Sequence, residues 1–238
     1  MSSGDRHTLP KGVIDGFRQI DCACIADVVV SLGLNCVVSG IHPLSPGMKV
    51  CGPAFTVRNI AARDRRSWTT DEVDPLTLVK RAKRGDVIVI DAGGRLDVSF
   101  WGSNAAMAAR NKGVDGTVID GATRDSEEII RVGYSLFARG VSLPNAHSLA
   151  YSTCVNSEPV QIGPVPSAVM VAPGDIVCGE KDGLVVVPRE RAAEILELAT
   201  QRHKSDLELA GILDQGAQGD DPRIVDLVHT ARRLEGMS

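Results

Sequence analysis

Arg124 and Asp125 stand side by side, downstream of the apolar run Thr117-Val118-Ile119 and the pair Asp120-Gly121, and Glu128 follows three residues after Asp125. A guanidinium next to a carboxylate suits two tasks. The cation can stabilise charge developing on a carbonyl oxygen, and a lone carboxylate can help hold Mg²⁺ or Mn²⁺, ions that keep several waters. Plainer roles compete with these. Asp125 with Glu128 is close to a capping box, worth ~1 kcal/mol, and Arg124 also reads as an ordinary surface cation or half of a salt bridge.

The elements around the pair decide which role is open to it. Thr117, Val118 and Ile119 have the β-branched character of a strand and Gly121 supplies a turn. Asp125 opens an amphipathic segment carrying Ile129, Ile130 and Val132. Strand, turn and helix in that order put Arg124 and Asp125 at a strand's carboxyl end, where open α/β sheets bind ligands. Upstream, residues 85–91 predict a strand buried on both faces, ending at Ala92-Gly93-Gly94 and followed by a loop to Trp101. Residues 103–112 predict an alanine-rich helix with Ser103 as its N-cap and Gly113 as its stop. The unpaired amides at Ser103, Asn104 and Ala105 carry the positive end of the helix dipole, a ready site for a small carboxylate. Two successive parallel β-α-β steps would bring Gly93 near Gly121 and set Arg124 and Asp125 across a cleft from those amides.

Taken together, Trp101-Gly102, Gly113, Gly116, Val118-Ile119-Asp120-Gly121 and Arg124-Asp125 with Glu128 resemble the signature of the RraA-like family. That family includes the metal-dependent 4-hydroxy-4-methyl-2-oxoglutarate/4-carboxy-4-hydroxy-2-oxoadipate aldolases and the regulator of ribonuclease E activity. The resemblance extends to residues 52–57, 173–177 and 182–188, and so covers roughly residues 25–191. It implies an α/β fold, a layered α-β-β-α sandwich of the swivelling β/β/α type. It also implies a class II pyruvate aldolase that cleaves a 4-hydroxy-2-oxo di- or tricarboxylic acid, with oxaloacetate decarboxylation as a companion activity. In that scheme Arg124 contacts the pyruvyl oxygen, Asp125 holds Mg²⁺ or Mn²⁺ directly or through water, and the backbone at Ser103, Asn104 and Ala105 binds substrate. Asp120 and Glu128 play supporting parts.

The same resemblance implies homotrimers or homohexamers with sites at subunit boundaries, completed by a carboxylate from a neighbour's C-terminal helix, for which Glu194, Glu197 and Asp206 are the candidates. One departure stands out. Aldolase members often carry an acidic residue directly after the Trp-Gly pair, and this chain has Ser103 there. The alternative reading within the family is a non-catalytic, protein-binding regulator. A Schiff-base aldolase is disfavoured, since Lys80, Lys83, Lys112 and Lys181 all lie in charged or terminal settings rather than an apolar pocket.

Composition sets the outer bounds. A chain of 238 residues with 43% hydrophobic content fits one domain, with a C-terminal helical extension from about residue 190. A net charge of −4 and an estimated pI near 5.7 argue against a nucleic-acid partner, because phosphates reward a basic stripe. Arg63, Arg65 and Arg66 and the run at residues 80–84 are interleaved or flanked by acids. Only 3% of residues are aromatic, which argues against a base-stacking platform. The polar start and the absence of a membrane-length apolar run point to a cytoplasmic protein with no membrane partner. Six cysteines without paired Cys-x-x-Cys spacing read as buried free thiols rather than a zinc site. His42 and His147 read as loop, structural or solvent-facing residues.

The remaining chain predicts a helix over 15–34, a strand pair or bulged strand over 49–58, because Gly52-Pro53 interrupts the ladder, and a helix over 74–84. Residues 141–160 read as irregular. Short strands follow near 168–172, 175–178 and 184–187, then an amphipathic helix over 190–213 and a short one near 224–234.

Overall fold

Val87, Ile88, Val89 and Ile90 are all fully buried, so the strand that holds them is covered on both faces. The computed structural model describes residues 9, 11–61, 74–146, 150–153 and 155–234. Within them the chain runs α1 (Val13–Phe17), α2 (Cys22–Ser31), β1 (Val37–Val38), β2 (His42–Pro43), β3 (Val50–Ala61), α3 (Pro75–Arg81) and β4 (Val87–Ser99). It continues through α4 (Ser103–Lys112), β5 (Gly116–Thr123), α5 (Ser126–Arg131), β6 (Leu136–Val141), β7 (Ala150–Thr153), β8 (Val160–Ile162) and β9 (Val169–Val171). The last elements are β10 (Ile176–Glu180), β11 (Gly183–Val187), α6 (Ala192–Asp214) and α7 (Pro222–Leu234).

Nine strands form one sheet, eight of them along the hydrogen-bonded path β1-β11-β10-β3-β4-β5-β6-β2, with β7 pairing β3 off that path. Strands β3 to β6 pair in parallel, as their helical crossovers require. The path curls so that two of its parts face each other. Side-chain alternation records this: Val87, Val89 and Val118 of the parallel part share a core with Val177, Leu184 and Val186 of β10 and β11. Their neighbours Ile88, Ile90 and Ile119 point the other way, against α3, α4 and α5. Cys178, Val185 and Val187 point outward beneath α1, α2 and α6. The result is helix, sheet, sheet, helix, the α/β layering that the resemblance implies.

Strand β3 joins the two sheet parts. The expected interruption at Gly52-Pro53 does not occur. The strand passes through it and changes partner, with residues 50–53 antiparallel to β10 and residues 54–58 parallel to β4. Proline's missing N–H falls at the handover, so the ladder loses little. Gly52 is needed for a separate reason, because a Cβ there would lie 2.1 Å from the Gly85 carbonyl oxygen.

Other expectations need correction. The helix expected over 15–34 is two helices, α1 and α2, separated by a turn at residues 18–21. The break lets Gly16 lie against Leu196 of α6, where an added Cβ would sit 2.8 Å from a leucine methyl. Strand β4 does not end at Ala92-Gly93-Gly94 but runs to Ser99 with register shifts after Asp91 and Arg95. The shifts accommodate the left-handed Gly93 and Gly94. The irregular region 141–160 contains β7, paired with β3. His42 is part of the two-residue strand β2 rather than a loop. Arg63, Arg65, Arg66, His147 and Cys154 lie outside the described residues. The other five cysteines are free thiols. Among the described residues, no helix is long and apolar enough to cross a membrane.

Because the Gly85 carbonyl is backbone and cannot swing aside, Gly52→Ala is expected to destabilise the fold by about 1–3 kcal/mol, the range for overpacking. Urea unfolding of the variant beside the parent measures it.

Candidate active site

Parallel β4 and β5 end at Ser99 and Thr123, and the chain after each is stitched to the other. Phe100 N donates to the Ala122 carbonyl at 2.9 Å, and Arg124 N donates to the Trp101 carbonyl at 3.0 Å. The Thr123 hydroxyl, fully buried, donates to that same Trp101 oxygen at 3.0 Å. Trp101 is itself buried. This lacing fixes where α4 begins relative to the Arg124-Asp125 turn.

The turn is sharp. Asp125 adopts φ 57° and ψ 36°, the left-handed region that aspartate tolerates better than most residues. Although it occupies the N-cap position of α5, its side chain makes no capping bond there. Its carboxylate reaches α4 instead, where Oδ2 accepts from Ser103 N at 3.0 Å and from Ser103 Oγ at 3.2 Å. Arg124 Nε lies 3.7 Å from that oxygen. The capping-box role is therefore not taken up. Nor is Ser103 the N-cap of α4. Gly102 holds that position and Ser103 is the first helical residue. Gly102 also gives the pair room, since a Cβ there would lie 2.8 Å from Asp125 Oδ2 and 3.3 Å from Arg124 Nε.

Arg124, Asp125, Ser103, Asn104 and Ala105 line one cavity of about 190 Å³. The first amides of a helix have no acceptor within it. Ser103 gives its amide to Asp125, and those of Asn104 and Ala105 are the next two at the mouth of the dipole. Sequence reasoning missed three further residues of the lining, Asp74, Ser99 and Asn145. Asp74 is the N-cap of α3, and its Oδ1 accepts from Leu76 N at 3.0 Å. The Asp-Pro start of that helix was the available signal, but nothing in it said which cleft the carboxylate borders.

Two supporting residues fall elsewhere. Asp120 is buried in an ion pair with Arg139 and accepts from Gly163 N at 3.3 Å, in a different cavity. Burial pushes its carboxyl up, opposed by Arg139. Glu128 pairs with Arg131 along α5 and does not line the Arg124 cavity. Of the helix carboxylates, Glu194 pairs with Arg191 at 2.6 Å and Asp206 with Arg202 at 3.3 Å.

Among the described residues, no three His, Cys, Asp or Glu side chains form a group able to hold a metal. A cation at this cavity would take Asp125 as its protein carboxylate, with water and ligand oxygens completing its shell. That donor chemistry fits Mg²⁺ or Mn²⁺ and does not fit a closed zinc site.

Residues 22–186 match the family model described as Aldolase/RraA. The chain belongs to the RraA-like family. A Halalkalibacterium halodurans relative, provisionally named a 4-hydroxy-4-methyl-2-oxoglutarate aldolase, is 31% identical over 193 residues, covering 81% of this chain and 84% of its own. Legionella pneumophila protein DlpA is 29% identical over 84% of this chain, which spans only 33% of that longer protein. Among solved structures, an uncharacterised Pseudomonas syringae protein superposes with TM-score 0.77 at 28% identity, covering 88% of this chain and 96% of that one. Streptomyces coelicolor RraAS2, described as an unusual member of the RNase ES inhibitor RraA family, gives 0.75 at 26% identity over 86% and 99%. RraA-like architecture thus accompanies both aldolase-named and inhibitor-named proteins.

Thr123→Val should cost about 1–2 kcal/mol in urea unfolding, because one buried hydrogen bond is lost while Arg124 N still satisfies the Trp101 carbonyl.

Proposed function

We propose that this RraA-like chain is a divalent-metal-dependent pyruvate aldolase. It takes a 4-hydroxy-2-oxo acid of the di- or tricarboxylic class and releases pyruvate and a second oxo acid, with oxaloacetate decarboxylation at the same site. The observation that carries the reading is the shared cavity: the Arg124 cation, the Asp125 carboxylate and a helix amino terminus converge within about 190 Å³, with the Asp74 carboxylate on the same lining. Aldolase-named relatives near 30% identity support it.

Cleavage of such an acid turns the 4-hydroxyl carbon into a carbonyl and sends the bonding electrons toward the 2-keto oxygen. Arg124 would meet that charge. The amides of Asn104 and Ala105, with the helix dipole behind them, would bind the adjoining carboxylate. Asp125 would hold Mg²⁺ or Mn²⁺, which when bound supplies Lewis-acid polarisation of the keto oxygen. The Ser103 hydroxyl, already on Asp125 Oδ2, keeps that carboxylate oriented and brings no second negative charge. A homotrimer or homohexamer would complete the site at a subunit boundary, with a carboxylate from a neighbour's α6. The likeness to RraAS2 favours one alternative, a protein-binding regulator of an RNA-processing enzyme.

A coupled pyruvate assay over a panel of 2-oxo acids separates the two. Release with Mg²⁺ or Mn²⁺ that EDTA abolishes is expected, and Arg124→Ala should cut kcat/KM by roughly 10²–10³, the usual loss for a donor to a developing oxyanion. Asp125→Ala should lose metal-dependent turnover. Undiminished, metal-independent turnover in that variant would end the aldolase reading, and no pyruvate from any substrate would favour the regulator. Gly102→Ala, which pushes the Asp125 carboxylate from its place, should lower turnover at least about tenfold, as expected for a misplaced catalytic group.

A further inference from the structure

At the amino-terminal end of the parallel strands, away from the Arg124 cavity, a cleft of about 270 Å³ is lined by three thiols, Cys22, Cys51 and Cys178. Cys51 on β3 and Cys178 on β10 are directly opposed in the antiparallel ladder. Their main chains do not bond to each other at this step. Cys51 N donates to Asp115 Oδ2 at 2.7 Å, and the Cys51 carbonyl accepts from Arg18 Nη2 at 2.9 Å. The two residues therefore occupy a non-hydrogen-bonded site, where opposed Cα atoms approach to about 4.5 Å, within the span of about 4.4–6.8 Å that a disulfide bridges. Both side chains face the same helix-covered core, and their sulfurs are 3.6 Å apart.

We propose that Cys51 and Cys178 are an oxidisable pair, which hydrogen peroxide entering by the Cys22 cleft converts into a cross-strand disulfide. The thiolate of one attacks the peroxide, the O–O bond breaks, and a sulfenic acid and water form. The second sulfur attacks the first, the S–S bond forms, the S–O bond breaks, and hydroxide leaves with the remaining thiol proton as water. Two thiols and one peroxide become one disulfide and two waters, with the sulfurs giving up two electrons and the peroxide taking them. Cys22 lines the same cleft and is the competing partner for these sulfurs, whereas the two cysteines of α2 cannot pair with each other. Cys22 and Cys24 are two apart on one helix and do not face each other, and Cys24 Sγ is engaged with Asp206 at 3.4 Å.

The surroundings make the reaction slow and alkali-dependent. The Cys178 thiol is pushed up by its hydrogen bond with Cys51 and by burial, and burial pushes Cys22 up to about 12. Where a thiolate carries the first step, its rate rises about tenfold per pH unit below the thiol's pKa. Since Asp115 precedes β5 and Arg124 follows it, the bridge forms at the opposite end of that strand from the proposed aldolase cavity. It does not depend on that activity.

The test exposes the full chain to hydrogen peroxide at pH 8.5, then denatures, alkylates and digests it. A peptide joining Cys51 to Cys178, two fewer alkylated thiols, and reversal by dithiothreitol are expected, with faster formation at pH 8.5 than at pH 7. Cys178→Ser should lose the linked peptide while Cys22→Ser keeps it, and the wild-type map decides should either variant fold poorly. A Cys22–Cys51 bridge as the main product, irreversible sulfinic acid at Cys51, or complete alkylation of both thiols would each overturn the proposal.

Discussion

The contact on which the candidate site depends is Asp125 Oδ2 accepting from the amide and hydroxyl of Ser103. It ties the end of β5 to the start of α4. A carboxylate at a helix amino terminus meets an unpaired donor and the positive end of the dipole, so the contact is favoured by bonding and by field. A surface ion pair between Arg124 and Asp125 alone would contribute little. Anchored through Ser103, the carboxylate is held close to the guanidinium.

That anchor costs local strain and space. Asp125 is one of two described non-glycine residues with positive φ, and Gly102 leaves out a side chain where the pair lies. Both features persist because the Trp101 carbonyl is held by two donors and the surrounding core is packed with buried apolar side chains. Strain of this sort is found where surrounding structure over-determines a functional geometry. Here the over-determination comes from the parallel sheet, whose adjacent β4 and β5 deliver their ends to the same edge.

Strand β3 plays the matching role for the whole fold. By pairing antiparallel with β10 and then parallel with β4 it belongs to both halves of the sheet, and the curl between those halves encloses the central core. The price is close backbone packing, met by Gly52 beneath the Gly85 carbonyl.

The sequence by itself determined the elements whose residues act locally. Both-face burial of residues 87–90, the alanine-rich α4 closed by left-handed Gly113, the strand leading into Arg124-Asp125 and the short β10-β11 hairpin all follow from periodicity and turn chemistry. The convergence of Arg124 and Asp125 with the Ser103, Asn104 and Ala105 backbone was legible too, because parallel β-α-β steps leave few arrangements open. Only the tertiary structure decided which partner each polar group takes. Asp125 could cap its own helix or reach another, Asp120 could face the cleft or Arg139, and Asp74 could border any neighbouring cavity. Each choice turns on contacts between residues distant in sequence, where several local hydrogen bonds of similar strength compete and the packed sheet selects among them.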